Sequence, residues 1–120
     1  AEIKAEWVAA LRSGEFEQGQ HALRDTNENG NTSYCCLGVL CELFSRKGEG
    51  KWSDSIAFYY GPEDAEYDHE GYGVLPYALA KQVGLKDGNP TLNNQKKSLA
   101  ELNDSGMPFA EIADLIEREL

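Results

Sequence analysis

The sequence predicts an α+β fold: a single compact domain in which a small antiparallel sheet packs with about five helices. Three observations predict it. Apolar residues recur at helical spacing near both ends, as Ile3, Trp7, Val8, Ala10 and Leu11 and as Phe109, Ile112, Ala113, Leu115 and Ile116. The run Tyr34 to Arg46 is apolar nearly all round, as a buried central helix is. The run SIAFYY, residues 55–60, is aromatic and β-branched and stops at Gly61-Pro62, which reads as a strand. A mostly helical domain with one hairpin is the alternative. With 120 residues, the chain forms one domain over 1–120, long enough to bury about two thirds of its unfolded surface.

The elements follow in order. The first helix covers 2–13 and stops at Ser13-Gly14. Gly19 discourages a regular element in EFEQGQHALRD, and Ala22 to Asp25 reads as a short strand entering a turn. Asn29-Gly30 suits the left-handed torsions of a tight hairpin turn. Lys47-Gly48-Glu49-Gly50 ends the central helix. Pro76 opens a helix over 76–83 that Gly84 closes, SLAELND stops at Gly106, and Pro108 opens the last helix. Leu99, Leu102, Phe109 and Ile112 on these last helices complete the monomer's core or, in a homo-oligomer, a dimer face.

The formal charge of −10, from 21 acidic and 11 basic side chains, repels duplex DNA. Seven carboxylates lie between Glu49 and Glu70 against Lys51 alone. That cluster reads as a solvated loop, its order over 61–70 left open, or as a surface for a basic partner. Cys35, Cys36 and Cys41 make a poor disulfide framework, so reduced thiols and a cytosolic compartment are expected. No run reaches the length of a membrane span, and AEIKAEWVAAL is amphipathic rather than a signal peptide, so no membrane partner is expected.

Asp25, Asn27, Asn29 and Gly30 match the first half of a calcium loop, but its twelfth position is Cys36, which lacks the required oxygens. The hairpin is preferred, and neither a metal nor a cofactor is favoured. Zinc fails for want of a C-x-x-C pair.

Thr32-Ser33 as caps would put Cys35 or Cys36 at a helix N-terminus, where the dipole lowers a thiol's pKa. Cys36-Leu37-Gly38-Val39 distantly resembles the helix start of cell-wall peptidases with a cysteine nucleophile. His69, with Asp68 beside it, would be the base, and His21 is the other histidine. The apolar surroundings favour core thiols instead.

Gln18-Gly19-Gln20 with Arg24 offers donors for a small polar ligand, or is a glycine turn with exposed glutamines. Phe58-Tyr59-Tyr60, with Tyr67, Tyr72 and Tyr77, lines a pocket or an interface, or alternates into the core.

WVAALRSGEFEQGQHALR, YCCLGVLCEL and LAELNDSGMPFAEIADLIEREL together resemble a group of small uncharacterised bacteriophage proteins, over nearly the whole chain except its acidic middle. The resemblance implies the cytoplasm of a bacterial host and an accessory role: binding a host protein or capturing a nucleotide defence signal. The expectation is a non-enzymatic binding protein. A nucleotide-like ligand would meet Arg24, Gln18 and Gln20, with Tyr59 or Tyr60 stacking. A basic host protein would meet Glu63 to Glu70. A cysteine hydrolase using Cys36 or Cys35 with His69, and a minor virion component, are the alternatives.

Overall fold

The computed structural model describes residues 2–19, 22–26, 28–53, 57–60, 70–71, 75, 77–85, 89–91 and 97–119. Helix α1 (Glu2–Arg12) buries Trp7, Val8 and Leu11 against the last helix, α5 (Phe109–Glu119), which returns Ile112, Ala113 and Ile116. Arg12 ties the outer edge of this pair to Asp114 at 2.5 Å and Glu117 at 3.2 Å. Water screens exposed pairs of this kind and leaves them weak, so the apolar seam holds the two helices together.

Helix α2 (Cys36–Arg46) is the central element. Cys36, Leu37, Val39, Leu40 and Cys41 are each 0% exposed, so consecutive residues are buried on every side of its first half. Trp7 locks α1 to its start by donating Nε1–H to the Cys36 carbonyl at 2.9 Å.

Strands β1 (Arg24–Thr26) and β2 (Thr32–Tyr34) precede α2 and pair antiparallel, with Arg24 opposite Tyr34 and Thr26 opposite Thr32. The expected hairpin is there, and Gly30 takes the expected positive φ, 83°. The connection is longer than a two-residue turn, because pairing ends at Thr26 and Thr32 and leaves 27–31 to cross. The central helix starts two residues later than its apolar pattern does. Tyr34 belongs to β2, and Cys35 is the N-cap, its sulfur accepting from Gly38 N at 3.4 Å. Thr32 and Ser33 are strand residues rather than caps.

Strands β3 (Gly50–Ser53), β4 (Ala57–Tyr60) and β5 (Glu70–Gly71) form a second antiparallel sheet in that order. Its register sets Trp52 opposite Phe58 and Tyr59 opposite Glu70. The sequence pattern marks only β4. The Gly50-Lys51 start of β3 has poor strand propensity and reads as the tail of the helix stop; pairing with β4 makes it a strand.

Helices α3 (Tyr77–Gln82) and α4 (Leu99–Asp104) complete the described elements. Ser98 and Glu101 form a reciprocal capping box at the start of α4. Leu99, Leu102, Phe109 and Ile112 are all buried in the monomer's core. The fold is thus α+β, five helices with small antiparallel sheets among the described residues.

Candidate functional site

The two sheets meet in a cluster of rings and guanidinium groups. β2 presents Tyr34, the β1 register sets Arg24 opposite it, and β3 supplies Trp52. The Tyr34 ring packs edge-on against Phe16 at 5.3 Å between centroids and lies 6.2 Å from Trp52. The Arg24 guanidinium lies 4.3 Å from the Trp52 ring centroid, and that of Arg46 lies 5.0 Å from Phe16. Trp52 is fixed from α2, donating Nε1–H to Glu42 at 2.9 Å. Arg46 bonds Glu15 at 2.6 Å and Glu42 at 3.1 Å. Phe16 is buried, whereas Tyr34, Trp52 and Arg24 are half-buried. Burial, then the nearby Glu42 carboxylate, raises the Tyr34 phenol above its ordinary value, so it stays a neutral donor.

This ledge has defined chemistry. A guanidinium over an indole ring is attracted to its π face, and its N–H edges match carboxylate and phosphate oxygens. That edge suits an anion.

Of the residues expected to bind a ligand, Arg24 belongs to this ledge and Gln18 does not. Gln18 Nε2 donates to Asn103 Oδ1 at 3.0 Å and to the Met107 carbonyl at 2.7 Å, while its Oε1 accepts from Phe109 N at 3.1 Å. Asn103, 0% exposed, accepts at Oδ1 from Cys36 N at 3.1 Å and donates Nδ2 to the Gly19 carbonyl at 2.7 Å. Two amides therefore satisfy the first backbone N–H of both α2 and α5, groups that have no partner inside their own helices. Gln18 is a clasp between helices. Tyr59 and Tyr60 lie in β4 opposite Lys51 and Gly50, one strand beyond Trp52. Gln20, His21, Asn27, Asp68, His69 and the acidic loop over 61–69 lie outside the described residues, and Glu70 pairs in β5.

Asp25 sits within β1, opposite Ser33, and Asn29 in the connection that follows. Among the described residues no group of three His, Cys, Asp or Glu side chains is placed to hold a metal ion.

The three thiols are buried, as the apolar run around them leads one to expect. Cys35 does sit at the N-terminus of α2, yet burial outweighs the helix field and raises its thiol from 9.0 to about 11. Burial, followed by the neighbouring Cys35, raises Cys36 and Cys41 well above 9.0. Cys36 Sγ–H is also directed at the Leu99 carbonyl, 3.6 Å away. Protonated, enclosed thiols are poor nucleophiles. A disulfide-exchange reagent is expected to label the three cysteines slowly in the native protein and rapidly in denaturant; fast native labelling of Cys35 or Cys36 would contradict this placement. The same burial carries a pH dependence. Unfolded thiols ionise near 9.0 while folded Cys35 holds its proton to about 11, so the folded chain binds more protons in that window and stability falls as pH rises through it. The urea midpoint should therefore be lower at about pH 10 than at about pH 8, and a change of the opposite sign would contradict buried thiols.

Away from the ledge, a cleft of about 110 Å³ between α1, α2 and the turn after α3 is lined by Ile3, Trp7, Leu40, Val83 and Leu85 with Lys4 beside them. It is well below the roughly 300 Å³ at which small-molecule sites begin. Sequence reasoning missed Tyr34 as a ring of the ledge, Trp52 and Asn103. A tryptophan beside a charged residue at a strand start was the available signal for Trp52, and the other two had none.

A family model described as "Domain of unknown function (DUF8296)" matches residues 1–120. No curated protein and no solved structure matches the chain.

Proposed function

The chain belongs to the DUF8296 family, and from that premise we propose that it is a small binding protein rather than an enzyme, a phage accessory protein that sequesters a nucleotide-like signal in the host cytoplasm. The observation that carries the reading is the Arg24 guanidinium stacked 4.3 Å from the Trp52 centroid, with Tyr34 beside it. A base stacks on the exposed side of this ledge and a phosphate meets the edge of the Arg24 fork. The phage setting rests on the resemblance of the three motifs, and counter-defence is the consequence of capturing a host signal. Arg24 keeps the role that the sequence gives it, Trp52 and Tyr34 supply stacking ahead of Tyr59 or Tyr60, and Gln18 is occupied within the fold.

Calorimetric titration with a panel of mononucleotides and cyclic dinucleotides tests this. At least one member should bind, and Arg24→Ala and Trp52→Ala should each weaken it about tenfold, in line with one lost stacking or charge-assisted contact. Far-ultraviolet circular dichroism should be unchanged in both variants. A panel without any binder, or binding indifferent to both substitutions, would sink the assignment.

The charge of −10 favours a second reading, occlusion of a basic host protein. Capture of such a partner at low salt and its release at high salt would mark that mode.

A further inference from the structure

Asn29-Gly30 is the one Asn-Gly step in the 120 residues. It lies in the connection between β1 and β2, with both residues exposed. A glycine after asparagine leaves the backbone nitrogen unhindered by a side chain. Around Gly30 this is realised in space as well, since nothing lies within 4 Å of where a Cβ would stand. Asn29 and Gly30 lie outside the ladder pairs Thr26–Thr32 and Asp25–Ser33. The other described asparagines differ. Asn103 is fully buried. Asn89 precedes Pro90, which has no N–H. Asn31 precedes Thr32, which is β-branched and fixed in β2.

We propose that Asn29 is a self-modifying site, at which the Gly30 amide nitrogen attacks the Asn29 side-chain carbonyl carbon and converts the turn to a mixture of aspartate and isoaspartate. The new bond joins Gly30 N to Asn29 Cγ. The Cγ–Nδ2 bond breaks, the nitrogen leaves as ammonia with the proton from the Gly30 amide, and a five-membered imide remains. Water then adds to either imide carbonyl. Opening at one gives the aspartyl backbone; opening at the other routes the main chain through Cβ. One water is consumed, one ammonia is released, and nothing is oxidised or reduced.

The product adds a negative charge at the hairpin tip of a chain already at −10. In the isoaspartyl form it also lengthens the connection by one carbon. The nearest ladder pair, Thr26 and Thr32, whose hydroxyls lie 3.2 Å apart, is the one that must adjust.

The experiment is incubation of the full folded chain in mildly alkaline buffer, followed by peptide mapping with fragmentation that distinguishes the two isomers. A urea-denatured sample and a Gly30→Ala variant run alongside. Asn29 should convert at least about tenfold faster than Asn31 or Asn103, a barrier difference of about 1.4 kcal/mol, with isoaspartate the major product. Gly30→Ala should slow conversion severalfold in the denatured sample too, where its fold is irrelevant. The proposal is overturned if folded Asn29 keeps its amide while the denatured control loses it, or if all asparagines convert at one slow common rate.

Discussion

Gly38→Ala should destabilise the domain by about 3–5 kcal/mol or prevent folding, although alanine is the better helix former by about 1 kcal/mol. Gly38 lies inside α2 on the side that meets Leu23. A Cβ built there would come within 2.6 Å of the Leu23 carbonyl carbon and closer still to its oxygen. Neither atom is the movable end of a side chain. The same carbonyl accepts from Cys35 N at 3.3 Å, so pushing it away also loosens the N-cap of α2. The sign is thus decided by a backbone collision against a propensity gain of about 1 kcal/mol. Urea denaturation checks it: a variant as stable as the parent would mean that the Leu23 carbonyl does not rest on α2 in this way.

Asn103→Leu is the second large effect, expected at about 3–6 kcal/mol. The side chain is fully buried and serves three groups: it accepts from Cys36 N and from Gln18 Nε2, and it donates to the Gly19 carbonyl. Leucine fills similar space and partners none of them. Each buried polar group left unsatisfied costs about 1–3 kcal/mol, and burial of the apolar side chain returns only part of it. Gln18→Leu should cost less, because Gln18 is only partly buried and Asn103 Oδ1 still accepts from Cys36 N without it. The measurement is the pair of urea midpoints. Equal, small losses in the two variants would deny Asn103 its place at the centre of the clasp.

These two residues also show where the sequence was legible and where it was not. Helices α1, α2 and α5 are visible because large apolar residues repeat at the helical period, and β4 because its aromatics stand between clear stops. The Gln18–Asn103 clasp joins side chains 85 positions apart, and such a pair leaves no local pattern. Gln18 in isolation resembles a ligand-binding amide for the same reason: its partners are invisible along the chain. The ledge is a comparable case. Arg24, Tyr34 and Trp52 come from β1, β2 and β3, and β3 is a strand only because β4 pairs with it. The thiols follow from composition more directly, since an apolar run predicts burial, and burial overrides the helix N-terminus that would have activated Cys35.

Native mass spectrometry of the protein purified from a bacterial host, set against its denatured mass, tests the proposed sequestering function most directly. The ledge of Arg24, Trp52 and Tyr34 predicts a discrete extra mass on the 13.3 kDa chain that is released on denaturation, identified as a phosphate-bearing planar compound, and reduced in occupancy in the Trp52→Ala variant. A bare chain that also takes up no nucleotide when one is supplied in excess would contradict the account.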